Sequence, residues 1–205
     1  MDKETVLCFR DLSIGFVSRA GQLLHVLRNI DLQIQRGETV GLVGESGSGK
    51  THLLHAVHHA LKEQGGHIGW LDAHTLHPPE FDDDWTAVLM DDVHLYTAAQ
   101  QHAAFNWFVH AATPGSARQP WVLAAGLLPP QDLPLREDLR TRLGWGHVFH
   151  LQILGENERR AVLVRHAQAL GMTLNTDLLD YLLSRFSRDL GHLIDLLHRL
   201  ISSRL

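Results

Sequence analysis

Apolar residues follow two different rhythms along this chain, and the change comes near residue 155. Before it, short apolar runs alternate with longer segments of helical period. Thr39-Val40-Gly41-Leu42-Val43, Thr86-Ala87-Val88-Leu89-Met90 and Pro120-Trp121-Val122-Leu123-Ala124-Ala125 are nearly unbroken, the pattern of strands buried on both faces. His67-Ile68-Gly69-Trp70-Leu71 and Val148-Phe149-His150-Leu151 predict two more strands. Helical periodicity runs to about Lys62, from Ala98 to Ala111 and from Leu135 to Leu143, with Gln64-Gly65-Gly66 as a stop. Strands alternating with helices predict a parallel sheet covered on both faces. Residues 4–43 read differently. Val6-Leu7-Cys8-Phe9, Leu12-Ser13-Ile14-Gly15-Phe16 and the alternating stretch Leu24 to Ile34 predict an antiparallel β-ribbon, which enters the sheet through the turn Arg36-Gly37-Glu38. From Gly155 onward, residues 157–170, 176–186 and 189–201 predict three amphipathic helices, with Gly171 ending the first and Thr176-Asp177 capping the second. The organisation expected is an α/β domain over 1–154, entered through the ribbon at 1–43, and a small helical domain over 155–205.

The first buried strand runs into Gly44-Glu45-Ser46-Gly47-Ser48-Gly49-Lys50-Thr51, a complete G-x-x-x-x-G-K-[ST] phosphate loop, and His52-Leu53-Leu54-His55-Ala56-Val57 continues as a helix. Strand, loop and helix together are the context in which this pattern binds phosphate. Its glycines let backbone N–H groups turn toward phosphate oxygens, and the helix N-terminus adds partial positive charge. Lys50 is expected to reach the β- and γ-phosphates and Thr51 to ligate Mg²⁺. The fold class is therefore a P-loop NTPase.

A magnesium carboxylate belongs at the end of a neighbouring buried strand, and Val88-Leu89-Met90-Asp91-Asp92 supplies it about 40 residues after the loop. Asp91 is the expected metal partner, directly or through water. Asp92 is placed to orient an attacking water; a strand-end cap or Asx turn is the alternative for the pair. Leu135 to Gly146 carries Arg136, Arg140 and Arg142, which on composition alone describe a solvated helix face.

The bulk numbers narrow the partners. The chain has 205 residues, 44% of them hydrophobic and 20% charged, with net charge −5 when histidines are neutral. That is not the balance of a basic nucleic-acid binder. One cysteine, Cys8, excludes an internal disulfide framework and fits a reducing compartment. The start, Met1-Asp2-Lys3-Glu4, has no basic region followed by an apolar core, and no run approaches the roughly 18 apolar residues of a membrane span. A cytoplasmic protein is expected. Among the 16 histidines, His52, His55, His58 and His59 share one helix, but there is no H-E-x-x-H, so they read as surface or half-buried side chains.

From Gly44 to about His198 the chain resembles the DnaA branch of AAA+ ATPases, and most closely the Hda-type regulatory inactivators of DnaA. The residues that carry this are Gly49 to Ala56, Met-Asp-Asp-Val-His-Leu-Tyr at 90–96, Gln-Gln-His-Ala-Ala-Phe-Asn-Trp-Phe at 100–108 and Leu-Arg-Glu-Asp-Leu-Arg-Thr-Arg-Leu-Gly-Trp-Gly at 135–146. The resemblance implies an AAA+ sheet with a helical lid and ADP or ATP with Mg²⁺ between them. It implies DnaA as partner and the DNA sliding clamp as a second one. The implied role is to stimulate hydrolysis of DnaA-bound ATP and so to switch initiation off. It makes Arg142, just before Leu-Gly-Trp-Gly, an arginine finger. It implies no membrane contact and no sequence-specific DNA binding, and leaves self-association open.

Residues 5–51 instead resemble the start of an ABC-transporter ATPase, in Leu12-Ser13-Ile14-Gly15-Phe16 and Arg36 to Thr51. That resemblance makes Phe16 an adenine-stacking residue, with a core aromatic as the alternative. No Leu-Ser-Gly-Gly-Gln follows, and Asp91-Asp92 stands where ABC proteins have Asp-Glu. The nearest candidate for a clamp-binding peptide is Gln22-Leu23-Leu24-His25-Val26-Leu27, which also reads as ordinary strand. Ala125-Gly126-Leu127 and Gly191 fall where the family carries polar and basic sensors, with His192 beside the second. Weak intrinsic hydrolysis is the expectation.

Overall fold

The computed structural model describes residues 4–17, 23–112, 118–152, 155–185, 193, 196 and 197, and side chains for all of these except 13–17, 23–30, 158 and 169. Strands β1 (Thr5–Val17) and β2 (Leu23–Gln35) form a two-stranded sheet of their own. Arg36 N–H donates to the Glu4 carbonyl and Gln33 Nε2 to Thr5 Oγ1, so the start of β1 meets the end of β2, as an antiparallel ribbon requires. Gly37, at φ 69°, takes the left-handed turn into the next strand.

That strand is β3 (Thr39–Val43). It lies in a parallel five-stranded sheet with β4 (Ile68–Leu71), β5 (Ala87–Met90), β6 (Trp121–Gly126) and β7 (His147–His150), in the order β4-β5-β6-β3-β7. The unbroken apolar runs occupy the middle: every residue of β5 and β6 is buried, and all of β3 but its first. β4, at one edge, alternates, and β7, at the other, is exposed throughout.

Helix α1 (Lys50–Glu63) buries Lys50, Leu53, Leu54, Val57 and Leu61, one face at helical spacing. Helix α2 (Ala98–Ala111) starts at a capping box, in which Thr97 and Gln100 satisfy each other's backbone N–H groups. Helix α3 (Glu137–Leu143) begins two residues later than the periodicity predicts, and Arg136 is its cap. Val88, Met90, Val122 and Ala124 of the sheet pack with Trp107 and Phe108 of α2 and Leu139 and Leu143 of α3.

Compact packing divides the chain into one unit of residues 1–10, 31–45 and 50–152 and another of 11–30, 46–49 and 153–205. The second contains α4 (Glu156–Ala169) and α5 (Thr176–Arg185), whose Val162, Leu163, Ala167, Leu179 and Leu182 form a core with Leu193 and Leu197. Gly171, at φ 77°, closes α4, with Met172 N–H donating back to the Ala167 carbonyl. Arg160 of α4 pairs with Asp180 of α5. The cap of α5 differs from the sequence reading: Asn175, not Thr176-Asp177, accepts from Leu178 N–H at 2.8 Å. Asn precedes the first helical residue by one, where its short side chain reaches the third N–H of the turn. Of the third predicted helix, at 189–201, Leu193, Leu196 and Leu197 are helical and the rest lies outside the described residues.

Candidate functional site

The carboxyl ends of parallel strands are where such sheets bind ligands, and here three of them converge. β3 pairs with β6 so that Val43 faces Gly126, and β5 pairs with β6 so that Met90 faces Ala124. Gly44 N–H donates to the Gly126 carbonyl at 3.3 Å, and Asp91 N–H to the Leu71 carbonyl at 2.9 Å. The backbone thus brings the start of the phosphate loop and Asp91 to one sheet edge.

Gly47 and Gly49 have φ of 81° and 91°, a conformation open to glycine and strained for other residues. Lys50 is buried, at 7% exposure, and its ammonium donates to the Gly44 carbonyl at 2.6 Å and the Glu45 carbonyl at 2.9 Å. The lysine is folded back over its own loop. Ser48 is buried and Glu45 and Ser46 are exposed. Thr51, in the first turn of α1, donates a side-chain hydrogen bond to the Asp91 carboxylate.

Asp91 is 3% exposed. Burial raises its pKa above the ordinary carboxylate value; the Thr51 hydrogen bond opposes the rise and the neighbouring Asp92 charge adds to it. One carboxylate oxygen also accepts from Asp92 N–H at 2.9 Å. Asp92 sits in the left-handed region, φ 49° and ψ 40°, at the start of a short 3-10 turn (Val93–Leu95), and its side chain makes no cap bond. A buried carboxylate held against the hydroxyl of Thr51 is a pair of oxygen donors that could hold Mg²⁺.

The three arginines before Leu-Gly-Trp-Gly separate sharply. Arg136 pairs with Asp138 at 2.6 Å. Arg140 borders a groove of about 530 Å³ with Pro129, Pro130 and Val148. The Arg142 guanidinium lies over the ring of Phe105 at 4.9 Å and over that of Trp145 at 5.0 Å. Among the described residues it has no hydrogen-bond or ion-pair partner.

The β1 backbone includes Phe16, but its side chain lies outside the described residues, as do Gln22, Gly191 and His192. Leu23 to Leu27 lie in β2. Ala125 and Gly126 are buried at the end of β6, and a Cβ on Gly126 would meet Val93 Cγ2 at 3.0 Å. His55 stacks on Trp70, ring centroids 4.8 Å apart, and His58 meets the same ring edge-on. Among the described residues no three His, Cys, Asp or Glu side chains form a metal cluster.

Sequence reasoning did not single out Gln100, Phe105 or Trp145. Gln100 is 3% exposed, and its amide donates to the carbonyls of Asp72, Ala73 and Thr75, fixing the chain beyond β4. Its signal was the Thr97-x-x-Gln100 capping box. Phe105 and Trp145 lay within quoted segments, and Trp145 follows Arg142 by one helical turn.

Residues 27–148 match the family described as ABC transporter, and residues 156–203 match that described as Hda, lid domain. The chain is similar to chromosomal replication initiator protein DnaA 2 of Protochlamydia amoebophila (strain UWE25), with 33% identity covering 78% of this chain. It spans 38% of that initiator's length. Among solved structures it is similar to domain III of the Thermotoga maritima replication initiation protein DnaA, with TM-score 0.61 and 17% identity over 81% of this chain and 76% of that one. It is also similar to AMPPCP-bound DnaA from Aquifex aeolicus, with TM-score 0.59 and 20% identity over 80% and 55% of the two chains. The fold is the one these DnaA domains share.

Proposed function

This chain belongs to the ABC transporter family of P-loop proteins over residues 27–148, with a DnaA-type AAA+ fold and an Hda-type lid, and from that premise we propose that it binds ADP or ATP with Mg²⁺ and stimulates hydrolysis of the ATP held by a DnaA-type initiator. The effect would be negative control of initiation, in the cytoplasm. No described helix is long and apolar enough to cross a membrane.

The observation that carries this reading is Arg142, a half-buried guanidinium with no hydrogen-bond or ion-pair partner among the described residues, in a chain whose lid matches Hda. An arginine offered in trans to a partner's phosphate stabilises charge that develops in phosphoryl transfer and contributes about 10³–10⁵ in rate. The chain's own nucleotide would be held by Gly44, Glu45, Ser46, Gly47, Ser48, Gly49 and Lys50, with Thr51 and Asp91 on Mg²⁺. When bound, Mg²⁺ neutralises phosphate charge. Lys50 would add a second cation, and Asp92 would orient water. At the end of β6, Ala125 and Gly126 offer no polar side chain to a γ-phosphate, which supports slow turnover of the chain's own nucleotide. Clamp binding through residues 22–27 would require Leu23 to Leu27 to leave the pairing of β2.

The test is stimulation of ATP hydrolysis in ATP-loaded DnaA, with Arg142→Ala beside the unmutated protein. Loss of stimulation with unchanged Mg·ADP affinity is expected. Full stimulation by Arg142→Ala would sink the reading. A second reading, an ATPase that works on its own nucleotide, is favoured by the ABC transporter match and the initiator relative. Turnover by the isolated chain at the rate of an efficient ATPase would put it first.

A further inference from the structure

We infer that Phe105 and Trp145 are positioning residues for Arg142, forming a two-ring seat that fixes where its guanidinium points; this rests on the role proposed above for Arg142. The guanidinium carbon lies 4.9 Å from one ring centroid and 5.0 Å from the other. A guanidinium over an aromatic ring is attracted through its flat face, and its five N–H donors lie in the plane of the fork. Contacts to two rings therefore hold the group while, among the described residues, none of its donors is committed to an oxygen acceptor. A fork held in this way meets phosphate oxygens with less side-chain freedom left to lose.

The backbone of each ring-bearing residue is held in place. Phe105 stands on α2, half-buried. Trp145 follows the last turn of α3, with its N–H donating to the Arg142 carbonyl at 3.2 Å. The residue is 65% exposed, so burial does not explain its position. Arg136 also lies over the Phe105 ring, at 5.5 Å, but Asp138 pairs with it at 2.6 Å. Arg142 is then the cation at this ring whose donors are unspent among the described residues.

The experiment measures the rate of ATP hydrolysis by ATP-loaded DnaA as a function of the concentration of this protein. The variants are Trp145→Ala, Trp145→Phe, Phe105→Leu and Arg142→Ala, with Mg·ADP affinity as the check that each is folded. A positioning role lowers the plateau of stimulation for Trp145→Ala by about tenfold and leaves the half-saturating concentration within about twofold. Trp145→Phe, which keeps a ring, stays within about threefold of the unmutated plateau. A Trp145→Ala plateau equal to that of the unmutated protein overturns the seat, as does an effect confined to half-saturation, which marks a mere contact residue. Equal losses in Trp145→Ala and Trp145→Phe overturn it too. If Arg142→Ala itself keeps full stimulation, the functional reading fails first. A partner-free readout decides the seat even then: the Arg142 Nε–H resonance is shifted upfield by ring current and relaxes toward its ordinary position in Trp145→Ala and Phe105→Leu. An unshifted resonance in the unmutated protein overturns the inference.

Discussion

Lys50 of the phosphate loop and Arg142 at the end of α3 are both cations, and the protein treats them in opposite ways. Lys50 is buried and spends donors on the Gly44 and Glu45 carbonyls of its own loop. Arg142 is half-buried and lies over two aromatic rings, and its guanidinium makes no hydrogen bond among the described residues. An ammonium is a compact charge on a flexible stem and is easily satisfied by carbonyls at hand. A guanidinium can be gripped by its faces and still offer a full donor edge. The difference fits two destinations. In the function proposed, Lys50 would serve a phosphate that comes to its own loop, and Arg142 an anion carried by a partner.

Gly146 joins the two regions, and its substitution should have the largest effect. A Cβ built there lies 1.5 Å from the Thr39 carbonyl oxygen, at the start of the strand that leads into the loop. Gly146 is also the residue after Trp145. Gly146→Ala must push β3 and the α3–β7 connection apart and should cost about 3 kcal/mol or more, read by denaturant unfolding. Stability within about 0.5 kcal/mol of the unmutated protein would show that the two regions are not tied at this point.

Lys50→Ala separates the regions chemically. It should weaken Mg·ADP binding about a hundredfold, the loss of a charge-assisted contact in a buried cradle, measured by titration calorimetry. The Arg142 Nε–H resonance should stay where it is. Movement of that resonance would mean that the two cations are coupled.

Much of this comparison was legible in the chain. A glycine-rich loop between an apolar run and an amphipathic helix has few other uses, so residues 44–51 and their elements were readable directly. The place of Asp91, buried just after β5, was readable because a phosphate loop implies a carboxylate at the end of a neighbouring buried strand. The ordering of the arginines was not legible from residue chemistry, and only the resemblance singled out Arg142. Arg136, Arg140 and Arg142 have the same chemistry within seven positions, and only tertiary packing distinguishes them: an ion pair for the first, a groove for the second, two rings for the third. Phe105 lies 37 residues before Arg142, so no local period could join them. The cap of α5 was missed for a smaller reason. Asn, Thr and Asp follow one another at 175–177, all good caps, and the choice depends on where the helical turn begins.

Arg142→Lys sharpens the contrast from the other side. It keeps the charge and exchanges a flat fork for a point, so stimulation of the partner should fall about tenfold while Mg·ADP affinity is unchanged. A lysine variant as active as the arginine would mean that charge alone matters at this position, and the argument from faces and edges would not hold.

The smallest effect concerns the buried carboxylate at the end of β5. Burial raises the Asp91 pKa in the folded protein above its value in the unfolded chain. The folded state therefore binds the proton more tightly, so this group's contribution to stability is fully present below the unfolded pKa and is lost as pH rises through the folded one. Asp91→Asn has no charge to bury, and its amide oxygen can still accept from Thr51 and from Asp92 N–H. Without ligand, the variant should gain stability relative to the unmutated protein as pH rises from the acid range toward neutrality. With Mg·ADP the order should reverse, because the unmutated protein gains binding free energy through a carboxylate suited to Mg²⁺ and the amide does not. Thermal unfolding at several pH values, with and without Mg·ADP, reads both signs. If Asp91→Asn gains as much from Mg·ADP as the unmutated protein does, Asp91 is a buried acid with no part in metal binding, and Lys50 alone carries the site.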